Sequence, residues 1–483
     1  MNKKSFNKKL PFRQIFIYVV MTVAVFVVVS LVTLFMLGYR IDANNRNIEQ
    51  YAFLQFSSIP SGATVSVDGA ITGGNTPSKT SVPAGKHAVV MWRSGYEKWE
   101  KTVNLKQGTL TWLNYTLLIP KDLKVQPIAD YALLYSSLAS PKGNYILIQP
   151  SAGIAKFDLV DLSSDTIKTT SLTLPASLYT PVTGSAFKLE KWSDNERYAL
   201  VSYKYGNKQE WLLVDTQSLT QSKNITKMFD ISFSSVNFAG SGGNSLYALD
   251  NDDIRKLDLS AGTISKPLVS NVTDYSVYNK LKVITYTGKN EKSQRIAGVY
   301  RDGDKSPSVI KTVSGNSNTP LRIATTNYFN ENYIALSYGD KVEILSGSYP
   351  NTTSDSANNM KTVGSFKSKV NVDRLSFSPT GKYALVQSGA YFASYDLEYR
   401  SLAESSVDGS GPTLPVKWLD DNHIWSDRNG KLIVYEFDGA NSHVINSVST
   451  QQDATLTNNG RFLYSINKSK KGYQLQRVRM ILP

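Results

Sequence analysis

Few residues in this chain have the type and spacing that chemistry requires. Its 483 residues include three histidines, His87, His423 and His443, and no cysteine. A zinc hydrolase needs convergent imidazole, thiolate or carboxylate ligands, and neither an HExxH run nor any close histidine pair occurs. A serine nucleophile is usually announced by G-x-S-x-G on a strand-to-helix turn. That motif is missing, and residues 239–243 (AGSGG) read as a flexible turn. An acid pair of the glycosidase type needs two carboxylates flanking one bond, and many strand ends here do carry acids. Asp158, Asp161, Asp215, Asp258 and Asp396 read better as turn caps that accept nearby backbone amides. Residues 250–253 (DNDD) and 419–422 (LDDN) concentrate oxygen ligands without the spacing of a calcium loop, and both read as hairpin tips. The expectation is a chain with no catalytic, cofactor-binding or metal-binding residues. The missing cysteines also exclude disulfides and thioether lipidation.

Position is better specified than chemistry. Residues 15–37 (IFIYVVMTVAVFVVVSLVTLFML) carry no charge. As a helix they span about 34 Å, enough to cross a hydrocarbon core of roughly 30 Å. Their valines would favour a strand in water, but in lipid an isolated strand leaves its amides unpaired. The preceding residues hold Lys3, Lys4, Lys8, Lys9 and Arg13 with no acid, whereas beyond the span Arg40 and Arg46 face Asp42 and Glu49. This asymmetry predicts a cytoplasmic N-terminus. The apolar run is longer than that of a cleaved signal peptide and lacks a small-x-small site, so an uncleaved signal anchor is expected.

The formal charge is +14, of which the basic tip supplies five, leaving 14 − 5 = +9 spread over the rest. That remainder interleaves both signs. It fits a loose attraction to anionic envelope polymers, and no nucleic-acid-binding module is present.

After a juxtamembrane linker at 38–50, residues 51–120 alternate in the manner of short strands. Ala63, Val65 and Val67 fall on one face and Thr64, Ser66 and Asp68 on the other, ahead of an Asp68–Gly69 turn. Five or six strands in about seventy residues make a compact all-β domain. PSGA at Pro60, VSVDG ending at Gly69, GGNTP ending at Pro77, VPAGKHAVV and SGY at Ser94 together resemble a PEGA domain over about residues 52–119. Ser61 stands where the family name expects Glu, and GGNTP carries one extra residue. The resemblance implies a small surface-exposed β-sandwich of envelope proteins, a spacer or binding module without catalytic residues. Trp92, Trp99 and Trp112 lie in alternating strands and are expected to fill the core.

Residues 124–483 repeat a unit of turn, apolar strand and second strand. Comparable turns at 141, 193, 243, 279, 330, 379, 420 and 458 are spaced by 36 to 52 residues and average near 45. This period suits one four-stranded propeller blade, which buries its two faces only by stacking against neighbours in a ring. SPKGNY at Ser140 and SPTGKY at Ser378 resemble blades of TolB-like and WD-type propellers. The fold class expected is thus an all-β ectodomain on one N-terminal transmembrane helix: a small PEGA-like β-sandwich, then a seven- or eight-bladed β-propeller. Polar loops at 346–362 and 401–415 interrupt the pattern and read as filler rather than binding loops.

These features predict a single-pass plasma-membrane protein, anchored through 15–37. Its extracytoplasmic part would bind or scaffold an envelope protein or polysaccharide without catalysis. Two alternatives stand beside this. One is a polysaccharide-active propeller enzyme, a carboxylate-based glycosidase or lyase. The other is a sensory ectodomain working through a membrane partner, since the tip at 1–14 is too short for an output domain. Propeller-bearing peptidases add an α/β-hydrolase domain; this chain is expected to lack one, because it ends at Pro483 just after the last repeat.

Overall fold

The computed structural model describes residues 10–41, 48–313, 319–350, 360–407 and 416–483. The basic residues at 3–9, Asp42, Arg46 and most of both polar loops lie outside the described residues. The chain divides into two compact units, Met1–Asp122 and Leu123–Pro483.

The first unit opens with a helix, Leu10–Met36, of 27 residues. It begins inside the stretch expected to be a polar tip, because Pro11 is tolerated in a first helical turn and the apolar pattern then continues. From Phe12 to Met36 the helix is long and apolar enough to cross a membrane. Hydroxyls within it are satisfied internally, as Thr22 and Thr33 donate to the carbonyls of Tyr18 and Val29. Gly38, at φ +85°, ends the helix, and the Arg40 guanidinium lies 3.6 Å from the Phe35 ring centre while donating to the Phe35 carbonyl. The expected linker is not plain coil. Tyr39–Ile41 pairs antiparallel with Ile48–Gln50, which gives those backbone groups partners.

Seven strands follow between Ala52 and Leu117, more than the five or six expected. They form a three-stranded and a four-stranded sheet. The additional strands, Ala70–Asn75 and Ser78–Val82, lie in the Gly- and Pro-punctuated stretch that read as turns, and both are edge strands, where such residues are tolerated. Asp68 and Gly69 have φ of +51° and +82°, the two left-handed residues of a tight hairpin turn. Leu54, Phe56, Val65, Met91 and Trp99 are fully or nearly fully buried between the sheets. The tryptophans divide. Trp99 fills the core 6.2 Å from the Tyr115 ring, whereas Trp112 is 36% exposed on the edge strand Leu110–Leu117.

The second unit holds eight four-stranded antiparallel sheets among the described residues. Their first strands are Ser136–Ala139, Ala186–Trp192, Ser235–Phe238, Val272–Tyr278, Leu321–Tyr328, Arg374–Phe377, Lys417–Trp418 and Thr455–Leu456. The sheets pack face to face in sequence, as the second and third do through Leu200, Trp211, Phe238 and Leu246. Between the seventh and eighth the contact is polar, with Asn446 donating to Ser465 and Gln476 to the Ser447 carbonyl. The eighth then packs on the first through Phe462, Tyr464, Leu475, Ile146 and Ile148. The eight sheets therefore close a propeller ring. Its eighth sheet is completed by the unit's own N-terminal strand, Val125–Tyr131, paired with Gly472–Arg479. The first strands form the inner wall, and they approach most closely between the first and second sheets and from the third to the sixth.

The SPxGxY motif is a clasp. The Ser140 hydroxyl accepts the Tyr145 amide, the Ser140 amide donates to the Tyr145 carbonyl, and Gly143, at φ +69°, donates to the Ser140 carbonyl. The same three bonds recur at Ser193–Tyr198, Ser378–Tyr383 and Thr457–Phe462. A hydroxyl three residues before a left-handed position turns the inner strand into the second strand of its sheet.

Candidate functional site

The inner wall is where side chains from several sheets converge. Cations dominate it, with Lys188, Lys191, Arg322, Arg374 and Lys417 on the first strands. Glu190 and Asp274 are the inner-strand carboxylates among the described residues, on the second and fourth sheets with the third between them. Glu190 is already engaged, 2.8 Å from Lys188 Nζ and accepting the Ser202 hydroxyl at 2.7 Å. Lys191 donates to Asn237 on the next sheet at 3.0 Å. Burial pushes its ammonium below the usual lysine range, and the Asp194 charge opposes this. Asp453 accepts the Ala139 amide and pairs with Lys417, tying the eighth sheet to the first and seventh. Glu190 and Asp453 thus act as ties within the wall, whereas Asp274 is exposed and accepts the amide of its neighbour Tyr275.

Among the described residues two adjoining cavities open along this wall: a small one of about 40 Å³ between the fourth and fifth sheets, lined by Asp274, Arg322, Ser276 and Thr285, and a larger one between the first strands of the fourth, fifth and sixth sheets. The larger measures about 300 Å³ and is lined by Ser276, Tyr278, Thr285, Thr326, Ser376 and Pro379, among others. No Asp, Glu, His, Lys or Arg lines it. The inner strands position these groups because their alternate residues, such as Tyr275, Val277 and Leu321, are drawn into the cores between sheets. Such a lining donates and accepts hydrogen bonds and buries apolar surface, and the Tyr278 phenol is its one titratable group.

The residues singled out for chemistry are dispersed. His87 bonds Asp68 through Nδ1 at 2.6 Å and the Pro83 carbonyl through Nε2 at 2.8 Å, within the small domain. His423 holds Asp420 at 2.9 Å in the seventh sheet, and His443 stands at the start of that sheet's last strand. Burial alone would raise the Asp420 carboxyl, but His423 and two backbone amides outweigh it and hold the group below its ordinary range. Among the described residues no three or more His, Asp or Glu side chains gather where a metal ion could be held.

Four of the five strand-end aspartates cap turns. Asp161, Asp215, Asp258 and Asp396 each accept backbone amides two or three residues ahead. Asp158 does not, for it lies inside the strand Lys156–Asp161 opposite Ile148. Asn251 and Asp252 form a left-handed hairpin tip, with Asp250 paired to Arg255. The stretch 239–243, expected to be flexible, is pinned on both sides. Asn195 donates to the Ser241 carbonyl and Gly240 to Asn279. Gly243 is glycine because a side chain there would meet the Tyr198 ring at 2.9 Å. The cavity itself is not legible in the sequence, since its lining draws on three repeats about 50 residues apart.

The PEGA domain family matches residues 53–119. No curated protein matches the chain by sequence. Among solved structures, the chain is similar to the β-propeller domain of Cps50 (Swd1) from Myceliophteria thermophila, at 10% identity and TM-score 0.36, covering 74% of this chain and 99% of that one. It is also similar to Hsv2 of Kluyveromyces lactis (11%, TM-score 0.38, covering 71% and 97%) and to an oligogalacturonate lyase in complex with manganese (10%, TM-score 0.40, covering 75% and 98%). Among its described residues the chain carries a membrane-length apolar helix, a PEGA domain and, in its eight ring-closing sheets, a β-propeller.

Proposed function

We propose that this is a single-pass membrane protein whose propeller binds an envelope polymer or protein on the extracytoplasmic side, without catalysing a reaction. The observation carrying this is the larger inner-wall cavity, which offers hydroxyls and apolar surface from three sheets and no carboxylate, imidazole, ammonium or guanidinium. The basic residues before the helix support a cytoplasmic N-terminus, and the PEGA match at 53–119 supports an envelope setting. The placement of Glu190 and Asp274 on non-adjacent sheets, with Glu190 paired to Lys188, weighs against the glycosidase or lyase alternative.

The cysteine-free chain makes topology directly testable. In intact cells, a membrane-impermeant maleimide should label Ser306→Cys, an exposed position in the propeller, and should label Ser5→Cys after lysis alone. The reverse pattern would overturn the placement. For binding, the full chain in lipid nanodiscs should retain isolated cell-wall polymer, and Ala324→Arg, which puts a long cation into the cavity, should abolish retention.

A further inference from the structure

The cavity opens beside an unusual turn. The fifth sheet passes from its first strand to its second, Glu331–Tyr338, through Phe329 and Asn330, with φ of +47° and +61°. Asn fits a left-handed position and glycine fits it better, but a bulky aromatic residue is costly there. Phe329 is also 81% exposed, so core packing does not account for its presence. Its ring meets Tyr328 edge-on, with centres 4.6 Å apart. Tyr328 is fixed in turn by donating to Glu398 of the sixth sheet at 3.1 Å, and Glu398 pairs with Lys382 at 3.0 Å. The strand leading into the turn lines the cavity through Ala324, Thr325 and Thr326. The Asn327 amide donates to the hydroxyl of the cavity residue Tyr278, and a side chain at Gly381 would collide with the cavity residue Thr326.

We infer that Phe329 is a stacking platform for an uncharged polysaccharide chain, with one sugar on its ring and the next hydrogen-bonded by Ser276, Thr285, Thr326 and Ser376. This rests on the binding role proposed above and specifies its ligand. The chemistry follows from the parts. An exposed, pre-oriented ring offers a flat apolar face to the C–H face of a pyranose at little entropic cost. Neighbouring hydroxyls suit sugar hydroxyls; no charged side chain lines this cavity, and the smaller one that shares Ser276 and Thr285 holds Asp274 and Arg322, one charge of each sign. Backbone strain retained at a solvent-facing turn is the kind of feature that function maintains against stability.

The test uses the full chain in nanodiscs and a panel of uncharged hexasaccharides built from glucose, galactose, mannose or N-acetylglucosamine, with heparin as polyanion. Calorimetry should find at least one neutral hexasaccharide bound and heparin not competing for its site. Phe329→Gly should weaken that binding roughly tenfold while raising the melting temperature, because glycine relieves the left-handed strain. Phe329→Trp should retain binding. A purely structural Phe329 would instead lower the melting temperature on replacement and leave affinity unchanged, which would overturn the inference. If no neutral hexasaccharide binds but wall polymer is retained in an Ala324→Arg-sensitive way, the ligand class is wrong and the binding role stands. Failure of both overturns both.

Discussion

The Glu196 carboxylate of the second sheet lies 2.6 Å from the Ser140 hydroxyl of the first. It also accepts the Lys142 amide and the Asn144 side chain, each at 2.7 Å. Glu196 occupies the left-handed place that Gly143, Gly381 and Gly460 take in the other clasps, with φ +58°. A residue with a side chain is tolerated there because that side chain locks two neighbouring blades.

Glu196→Ala keeps the backbone strain and leaves three donors of the first clasp without their acceptor. The expected loss is about 2–3 kcal/mol, read as a lower urea midpoint. Glu196→Gly relieves the strain and should lose less than alanine does. Equal losses would show that the φ angle contributes nothing.

Acid sensitivity should follow the capping aspartates. Burial pushes the Asp215 carboxyl up, but Arg197 and the Gln217 and Ser218 amides outweigh this and hold it below the ordinary carboxylate range. Asp68 is lowered by hydrogen bonds from His87 and the Ala88 amide. A folded pKa below the unfolded one means the unfolded chain binds more protons. Their stabilisation is therefore complete above the unfolded carboxylate value of about 4 and is lost as pH falls through the folded values. Asp215→Asn should cost about 1–2 kcal/mol at pH 7, discounted because Arg197 is 39% exposed. Urea midpoints between pH 7 and 3 should fall less steeply for this variant than for the parent protein.

Ring closure joins residues more than 340 positions apart, such as Val125 and Val478. Amide hydrogens of Val125–Tyr131 and Gly472–Arg479 should exchange together, at the rate of the ring and not of a free terminus. Leu475, fully buried against the first sheet, contributes to this seam. Leu475→Ala should cost about 2–5 kcal/mol and speed exchange in both strands.

Gly298 faces the Tyr286 hydroxyl and the Ser308 carbonyl so closely that a methyl group would collide with both. Gly298→Ala should cost about 1–3 kcal/mol. In a Tyr286→Ala background, which removes the ring carbon as well as the hydroxyl, Gly298→Ala should cost less, and the loss that remains is the part due to Ser308, as a thermal-shift double-mutant cycle would show.

Much of the architecture is legible in residues 10–483 taken one segment at a time. Residues 15–37 contain no charge, and an uncharged run of that length has few stable environments other than lipid. Asp68–Gly69, Ser140–Tyr145 and Ser378–Tyr383 announce their turns because a left-handed residue or a capping hydroxyl is a local requirement. The same locality explains why edge strands such as Ala70–Asn75 went unread, since pairing and not composition makes them strands.

Other features belong to the tertiary structure. Spacing left the blade count at seven or eight; the pairing of Val125–Tyr131 with Gly472–Arg479 makes it eight sheets, and no local pattern encodes a partner that distant. The pinning of 239–243 between Asn195 and Asn279, the role of Glu196 and the surface position of Trp112 arise from neighbouring blades or sheets. The cavity beside Phe329 is assembled from three repeats whose hydroxyls are unremarkable singly. Periodicity and turn chemistry act over a few residues and are written in order along the chain, whereas a site at the centre of a ring exists only once the ring has closed.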